Sequence, residues 1–360
     1  MKRLRDIAIN LGVSLGATVA ALLVFELIVF RFLLPGSDLP WNAYSDGLIR
    51  YAPNQTGVWR VRNEIAAPYS INAQGWNSGF GDYTLQRRPG VERIAVIGDS
   101  YVEGLQVPHD ESLAEQISSV MIAAGQPAEV YRFAISGAPM SHYLYIAEHE
   151  VPKYHPDWIV VVLVDNDYEE SFRFRPGRYT SAFLKVRTEN GRVTGEIPPT
   201  PWAASWGDLF RQLAIMRFLA FRWQLKPERL SAAIFPDARA QPVDPGADIK
   251  AVTRYTIARL DDVARKMGAK LLIVVNGDVG AVYTGAGETR AREFNRIAEE
   301  AAAASKVSFL DLDPVFATDW RVNRQMLNFQ SDGHWNQRAH WLAGAAIARY
   351  ILDAQKEPSG

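Results

Sequence analysis

The 360-residue chain contains no cysteine. That single absence excludes a disulfide framework, a thiol nucleophile, an iron–sulfur site and a lipid-modified cysteine anchor. It leaves the compartment open, because many exported proteins have no disulfides. An excess of charge is also missing: 39 lysines and arginines face 40 aspartates and glutamates, for a formal net charge of -1. The totals therefore carry no electrostatic footprint for nucleic acid. Histidines number only six, and no H-E-x-x-H pattern occurs, so neither a metal nor a cofactor is expected. His142 and His149 would share a helical face at a spacing of seven, but with His109, His155 and His340 they read as structural or surface residues. Internal repeats and low-complexity tracts are absent too.

What is present starts at the N-terminus. Lys2, Arg3 and Arg5 precede a nearly continuous apolar run of 20 residues, Leu11 to Phe30. At about 1.5 Å per residue it spans roughly 30 Å, the thickness of a bilayer's hydrocarbon core. A cleavable signal has roughly 7 to 15 apolar residues and a small-x-small site, whereas this run leads into Arg31-Phe32-Leu33-Leu34-Pro35. Residues 1–34 are thus expected to be a cytoplasmic tip and an uncleaved transmembrane anchor. The basic residues ahead of the span place the N-terminus in the cytoplasm and the rest outside, in the periplasm or at the cell surface. Within the span, Gly12-Val13-Ser14-Leu15-Gly16 matches a nucleophile-elbow pattern but lacks the strand, turn and cleft an elbow needs. The same residues read G-x-x-x-G, a face through which Gly12 and Gly16 would pair two copies as a homodimer. Glu26, near the outer end, is expected to snorkel to the interface.

Residues 35–90, rich in Pro, Gly, Asn, Trp and Tyr, suggest turns and short strands, Tyr69–Asn72 among them, in a juxtamembrane segment packed on the following domain. From 91 the pattern changes. Arg93–Ile97, Val130–Ile135, Trp158–Val164, Lys270–Val275 and Val307–Leu312 are apolar runs of strand length. Helices are expected at Ser112–Ala124, stopped by Gly125, then through about His149, and at Gln337–Ala354. Five strands separated by helices indicate an α/β fold with a parallel five-stranded sheet, spanning 91–355. An insertion at about 169–250, with a helix-like stretch Trp206–Leu225 and a Pro-rich stretch Phe235–Pro245, is expected to cover the active-site rim.

In such a sheet the ligand crevice lies beyond the carboxyl ends of the strands. The first strand runs into Gly98-Asp99-Ser100, the second into Ser136-Gly137, the third into Asp165-Asn166-Asp167, and the region after the fifth reaches Asp332-Gly333-His334. These are the parts of an acyl-transfer site. A serine hydroxyl is a poor nucleophile until a histidine takes its proton, which suits Ser100 and His334. A carboxylate orients the imidazole and stabilises the imidazolium, the role given to Asp332. Ser100 N–H, Gly137 N–H and the Asn166 amide would form the oxyanion hole, each donor worth about 2.7 to 4 kcal/mol. Asp165 and Asp167 are expected to shape the loop.

Gly98-Asp99-Ser100-x-x-x-Gly104, then Gly137, Asn166 and His334, resembles the four blocks of the SGNH (GDSL) hydrolase family. The resemblance covers about 91–355 and implies a flavodoxin-like three-layer α/β/α fold and the roles just given. One departure is the last block, Asp332-Gly333-His334 followed by Trp335, where the family has Asp-x-x-His. The D-x-H-W form resembles the membrane-anchored branch that includes the periplasmic alginate O-acetyltransferases. This implies a serine esterase or O-acyltransferase working through an acyl-enzyme on O-acyl, above all O-acetyl, groups of a cell-envelope polysaccharide. A lipid or aryl-ester hydrolase and a catalytically silent glycan-binding scaffold are the alternatives. Trp41, Trp59, Trp76, Trp202, Trp206 and Trp223 fall near the expected cleft, where sugar stacking competes with core packing and interface seating.

Overall fold

The computed structural model describes residues 2–173, 178–225 and 246–356. In chain order the elements are helix α1 (Lys2–Val24), continued as a π-helix over Phe25–Leu33; the short strands β1 (Asn42–Ser45), β2 (Leu48–Tyr51), β3 (Thr56–Val61) and β4 (Ile65–Ser70); β5 (Glu92–Gly98); α2 (Ser100–Glu103); α3 (Leu113–Ala123); β6 (Ala128–Ala134); α4 (Met140–His149); β7 (Trp158–Leu163) and α5 (Asp165–Glu170). There follow β8 (Lys185–Glu189), β9 (Arg192–Ile197), α6 (Trp206–Arg211), α7 (Ala214–Arg217), α8 (Gly246–Met267), β10 (Lys270–Val275), α9 (Val279–Thr284), α10 (Arg290–Ser305), β11 (Ser308–Asp311), α11 (Asp313–Asn323) and α12 (Gln337–Lys356).

Two compact units result: Met1–Leu39 with Val58–Ala66 and Ala204–Gln241, and Pro40–Gly57 with Ala67–Ala203 and Pro242–Gly360. The larger holds the five-stranded parallel sheet in the order β11-β10-β7-β5-β6. Alternate side chains of a strand point to opposite faces, and both faces here are covered. Ala95, Ile97, Tyr131, Phe133, Ile159 and Val161 bury against residues of α4, α8 and α10. Their neighbours Ile94, Val96, Val130, Val160 and Val162 bury against α3, α11 and α12. Burial on both faces is why most of these strands read as apolar runs rather than as alternation, although Glu129 and Arg132 interrupt β6. The expected three-layer, flavodoxin-like α/β/α arrangement is what forms. By chain order the strands run 2-1-3-4-5 across the sheet, with the topological switch between β5 and β7. Paired register, Gly98 opposite Ala134 and Ile97 opposite Val161, brings the exits of β6, β5 and β7 side by side.

Residues 35–90 hold the four short strands and then an irregular stretch that seals the sheet's edge. There Tyr83 stacks on Tyr131 at 4.1 Å and Trp76 meets Phe133 edge-on at 5.6 Å. Trp76 is core, not a sugar platform. The strand expected at Tyr69–Asn72 begins earlier and ends at Ser70, with Ile71 bridging to Asn77. The insertion contains a hairpin, β8–β9, that the sequence pattern did not disclose. Its Phe235–Pro245 stretch lies outside the described residues.

The smaller unit contains the N-terminal helix. Lys2–Leu33 is long and apolar enough to cross a membrane, with a mean hydropathy of 2.3 in its most apolar window and none of that window buried. A β-carbon at Gly12 or Gly16 would meet nothing within 4 Å. The G-x-S-x-G match lies wholly inside this helix, so no elbow exists there. Trp206–Leu225 is not one helix but α6, α7 and a π-helical turn, Phe218–Arg222, with a break at Leu213 (φ -59°, ψ 134°). Glu26 finds its partners within the smaller unit. Its carboxylate accepts the N–H groups of Ala214 at 2.7 Å and Ile215 at 3.0 Å, because the first N–H groups of a helix lack intrahelical partners and favour negative charge.

Candidate active site

Strand β5 delivers Asp99 and Ser100 at the switch point, where a tight strand-to-helix turn lifts the serine onto the first turn of α2. Asp99 caps that turn, its Oδ1 accepting the Tyr101 N–H at 3.0 Å. From 234 residues away, His334 Nε2 sits 2.8 Å from Ser100 Oγ, and His334 Nδ1 sits 2.8 Å from Asp332 Oδ1. Asp99 Oδ2 is also within reach of Ser100 Oγ, at 3.4 Å. The hydroxyl has one proton, and the shorter contact directs it to the imidazole. With Nδ1–H donating to Asp332, Nε2 is the free acceptor that a general base needs.

The unusual two-residue spacing works because of Gly333, whose φ of +87° is open to glycine at little strain. Its N–H donates to the Phe329 carbonyl at 2.8 Å, and Phe329 N–H donates to the His334 carbonyl at 2.9 Å. This closed loop turns Asp332 and His334 toward each other. Trp335 anchors it from below, buried, with Nε1 donating to Asn276 Oδ1 at 3.0 Å. Tyr101 packs on both, 4.9 Å from the His334 ring and 5.2 Å from the Trp335 ring. Asn336 then caps α12 through the N–H groups of Arg338 and Ala339.

Gly137, just past β6, has φ +74°, and a β-carbon there would enter open space. Asn166 stands on the first turn of α5, beyond β7. Its Nδ2 donates to Glu170 Oε2 at 3.4 Å, a long and weak bond. Asp167 shapes the loop as expected: buried, it accepts Tyr143 O–H at 2.9 Å and Val164 N–H at 2.8 Å. Burial first, then the charge of Asp99, pushes its carboxyl well above the usual range.

Two residues the sequence reading missed complete the site. Glu103, at the end of α2, is almost fully buried. Its carboxyl accepts Tyr51 O–H at 2.6 Å and Ser136 N–H at 3.2 Å, and also bonds the Ser136 hydroxyl. Burial, working against those donors, pushes it up to about 7. Tyr179, in the insertion, donates to the Ser136 carbonyl at 2.8 Å and meets Trp202 edge-on at 6.4 Å. The first part of the insertion thus reaches the second strand's exit, while Ala204–Gln241 belong to the smaller unit. The only sequence signal for Glu103 was its place inside the G-D-S-x-x-x-G block.

The surroundings of His334 stabilise its protonated form. Burial lowers the His334 imidazole, but the Asp332 hydrogen bond and the charges of Asp332, Asp99 and Glu103 outweigh it, and the net shift is upward. Burial pushes Asp99 up to about 6. His142, buried, takes the Leu184 N–H at 3.2 Å and stacks near Tyr145, as does His149. Among the described residues no group of three or more His, Cys, Asp or Glu side chains is disposed to hold a metal.

A family model described as the GDSL-like lipase/acylhydrolase family matches residues 96–342. The fold is similar to several solved structures. One is TesA, at 16% identity and TM-score 0.40, covering 72% of this chain and 99% of that one. A second is the lipase/acylhydrolase from Enterococcus faecalis, at 16% and 0.42, covering 75% and 100%. A third is a catalytic mutant of Axe2, an acetylxylan esterase from Geobacillus stearothermophilus, at 13% and 0.41, covering 72% and 94%. No curated protein matches the sequence.

Proposed function

This chain belongs to the GDSL-like lipase/acylhydrolase family and is an ester-hydrolysing enzyme, and on that footing we propose that Ser100, His334 and Asp332 are its catalytic triad. The observation that carries the assignment is the continuous pair of 2.8 Å contacts from Ser100 through His334 to Asp332. As Ser100 Oγ attacks the ester carbonyl, its proton passes to His334 Nε2, and Asp332 stabilises the imidazolium. The carbonyl oxygen, now an oxyanion, takes hydrogen bonds from Ser100 N–H, Gly137 N–H and Asn166 Nδ2. Collapse expels the alcohol, which leaves with the proton from His334, and Ser100 carries the acyl group. A second hydroxyl, from water or from a sugar, gives His334 its proton and takes the acyl group, restoring the serine.

The natural substrate in this proposal is an O-acetylated polysaccharide of the cell envelope, with Lys2–Leu33 spanning the membrane, Lys2, Arg3 and Arg5 on its cytoplasmic side and the catalytic unit in the periplasm. What supports a glycan is the aromatic pair Tyr179 and Trp202 leading to the Ser136-Gly137 loop, since sugar rings stack on such surfaces. What supports the orientation is the excess of basic residues before the span. Gly12 and Gly16, bare of neighbours, are the proposed contact for a helix dimer.

Acetate released from an O-acetylated envelope polysaccharide, compared with turnover of p-nitrophenyl acetate and p-nitrophenyl octanoate by the same full-length preparation, tests the substrate. The glycan assignment predicts acetate release and preference for the two-carbon ester. Preference for octanoate with no release from the glycan would give the lipid-ester alternative, and inertness toward all three would give the silent scaffold.

A further inference from the structure

Within the smaller unit, the segment from Trp206 to Leu225 carries large apolar side chains that stand exposed among the described residues. Trp206, Leu209 and Phe210 fall at i, i+3 and i+4 on one side of α6, and Leu213 follows at the break before α7. Yet this stripe faces outward: Trp206 is 86% exposed, Phe210 55%, and Trp223 beyond them 63%. A soluble protein rarely leaves so continuous an apolar patch in water.

The segment is fixed to the outer end of the N-terminal helix by several independent contacts. Glu26 caps the start of α7, and Phe30 packs on Phe218 at 4.7 Å. Arg222 Nε donates to the Pro35 carbonyl at 3.0 Å, and Arg217 bonds Asp38 at 2.8 Å. At Gly36 the backbones nearly touch, since a β-carbon would lie 2.5 Å from the Arg217 carbonyl carbon. Glu26 lies seven residues before the helix end at Leu33, so the start of α7 is drawn inside that end.

We propose that residues 206–225 are a second membrane-seated element, an interfacial segment whose Trp206-Leu209-Phe210 stripe, Leu213 and Trp223 enter the headgroup–acyl boundary beside the span. The occupant of the apolar stripe is the bilayer itself, and the inference rests on Lys2–Leu33 crossing that bilayer. Composition agrees: the segment holds Arg211, Arg217 and Arg222 against a single acid, Asp208. Tryptophan and phenylalanine on one side with arginine on the other is the chemistry of membrane interfaces, where apolar faces sink about 5–10 Å below the headgroups. Glu26 meanwhile has both carboxylate oxygens satisfied by backbone N–H groups, which lets an acid sit at that depth.

The absence of cysteine makes the test direct. Single cysteines are introduced into the full-length chain as Phe210→Cys, Trp223→Cys, Leu15→Cys and Glu299→Cys, each is spin-labelled, and the protein is placed in phosphatidylcholine nanodiscs. Collisional relaxation by oxygen, which concentrates in lipid, is compared with that by a water-soluble nickel chelate. The proposal predicts an oxygen-to-nickel ratio several-fold higher at 210 and 223 than at the exposed reference 299, and lower than at 15. Ratios at 210 and 223 equal to that at 299, with 15 still high, would overturn the inference and leave the span intact. A low ratio at 15 as well would overturn the span reading itself. Protection of 210 and 223 from both reagents would put protein rather than lipid on the stripe and also overturn it, spin–spin broadening that vanishes on dilution with unlabelled protein marking a second copy.

Discussion

The Ser136 N–H donates to Glu103 Oε1 at 3.2 Å, tying the loop after β6 to the helix that carries Ser100, the proposed nucleophile. Through this bond the position of the Ser136-Gly137 turn is coupled to the helix that starts at Ser100. Glu103→Ala would leave the Ser136 N–H and the Tyr51 hydroxyl without their acceptor, at about 1–3 kcal/mol for each buried group left unpaired. Thermal unfolding should register that loss, and kcat should fall more than KM rises, because a loosened oxyanion loop binds substrate but misplaces the donor. Glu103→Gln, which retains an acceptor and the shape, should recover most of both.

The same carboxyl gives a pH signature. Its folded-state value of about 7 lies above the ordinary glutamate value of 4.5. A raised carboxyl contributes stability that is complete below the unfolded value and is lost as pH rises through the folded one. The melting temperature of the parent should therefore fall relative to that of Glu103→Gln between pH 5 and pH 8. A gap between the two that stays constant across this range would show that Glu103 does not titrate there.

For His334 the sign runs through activity. Its folded-state value is raised despite burial, chiefly by Asp332, and only the neutral imidazole accepts the serine proton. The kcat/KM profile should rise with pH through an apparent value above 6.5. Asp332→Asn keeps the burial and removes the carboxylate, so the midpoint should move down while kcat drops on the order of 10⁴-fold. An unchanged profile would reassign the orienting role.

The sheet was legible because its strands are buried on both faces and most therefore appear as apolar runs. Lys270–Val275 matches the sequence expectation residue for residue, and the other four strands differ by one or two residues at their ends. The pairing of Ser100 with His334 was legible because the proposed roles of nucleophile and base need particular residue types at strand exits. Glu103 was not, since a carboxyl within a helix turn reads as a solvated residue until tertiary packing buries it. The Glu26 cap was hidden for the same reason, joining groups 188 residues apart. The break at Leu213 escaped because the apolar spacing continues across it. Only the backbone angles reveal the interruption.

Gly333→Ala places a side chain at φ +87°, at a strain of about 1–3 kcal/mol. Relief of that strain would swing the Asp332–His334 loop. Activity toward p-nitrophenyl acetate should fall at least tenfold while the folded fraction at room temperature holds, as circular dichroism would report. Full activity would mean that the loop tolerates the distortion and that Gly333 does not set the spacing.

Trp202→Ala tests the aromatic wall beside Tyr179. Expected is a raised KM for an O-acetylated polysaccharide, with hydrolysis of p-nitrophenyl acetate unchanged. Equal effects on both substrates would reduce Trp202 to a packing residue held by its bond to the Arg178 carbonyl.

The triad itself is tested most directly by p-nitrophenol release from p-nitrophenyl acetate by the full-length protein in detergent, together with fluorophosphonate labelling, beside Ser100→Ala and His334→Ala. The account predicts turnover and labelling in the parent, loss of both in Ser100→Ala, and a rate lowered on the order of 10⁴- to 10⁶-fold in His334→Ala. Labelling that persists in Ser100→Ala, or turnover that survives in His334→Ala, would contradict it.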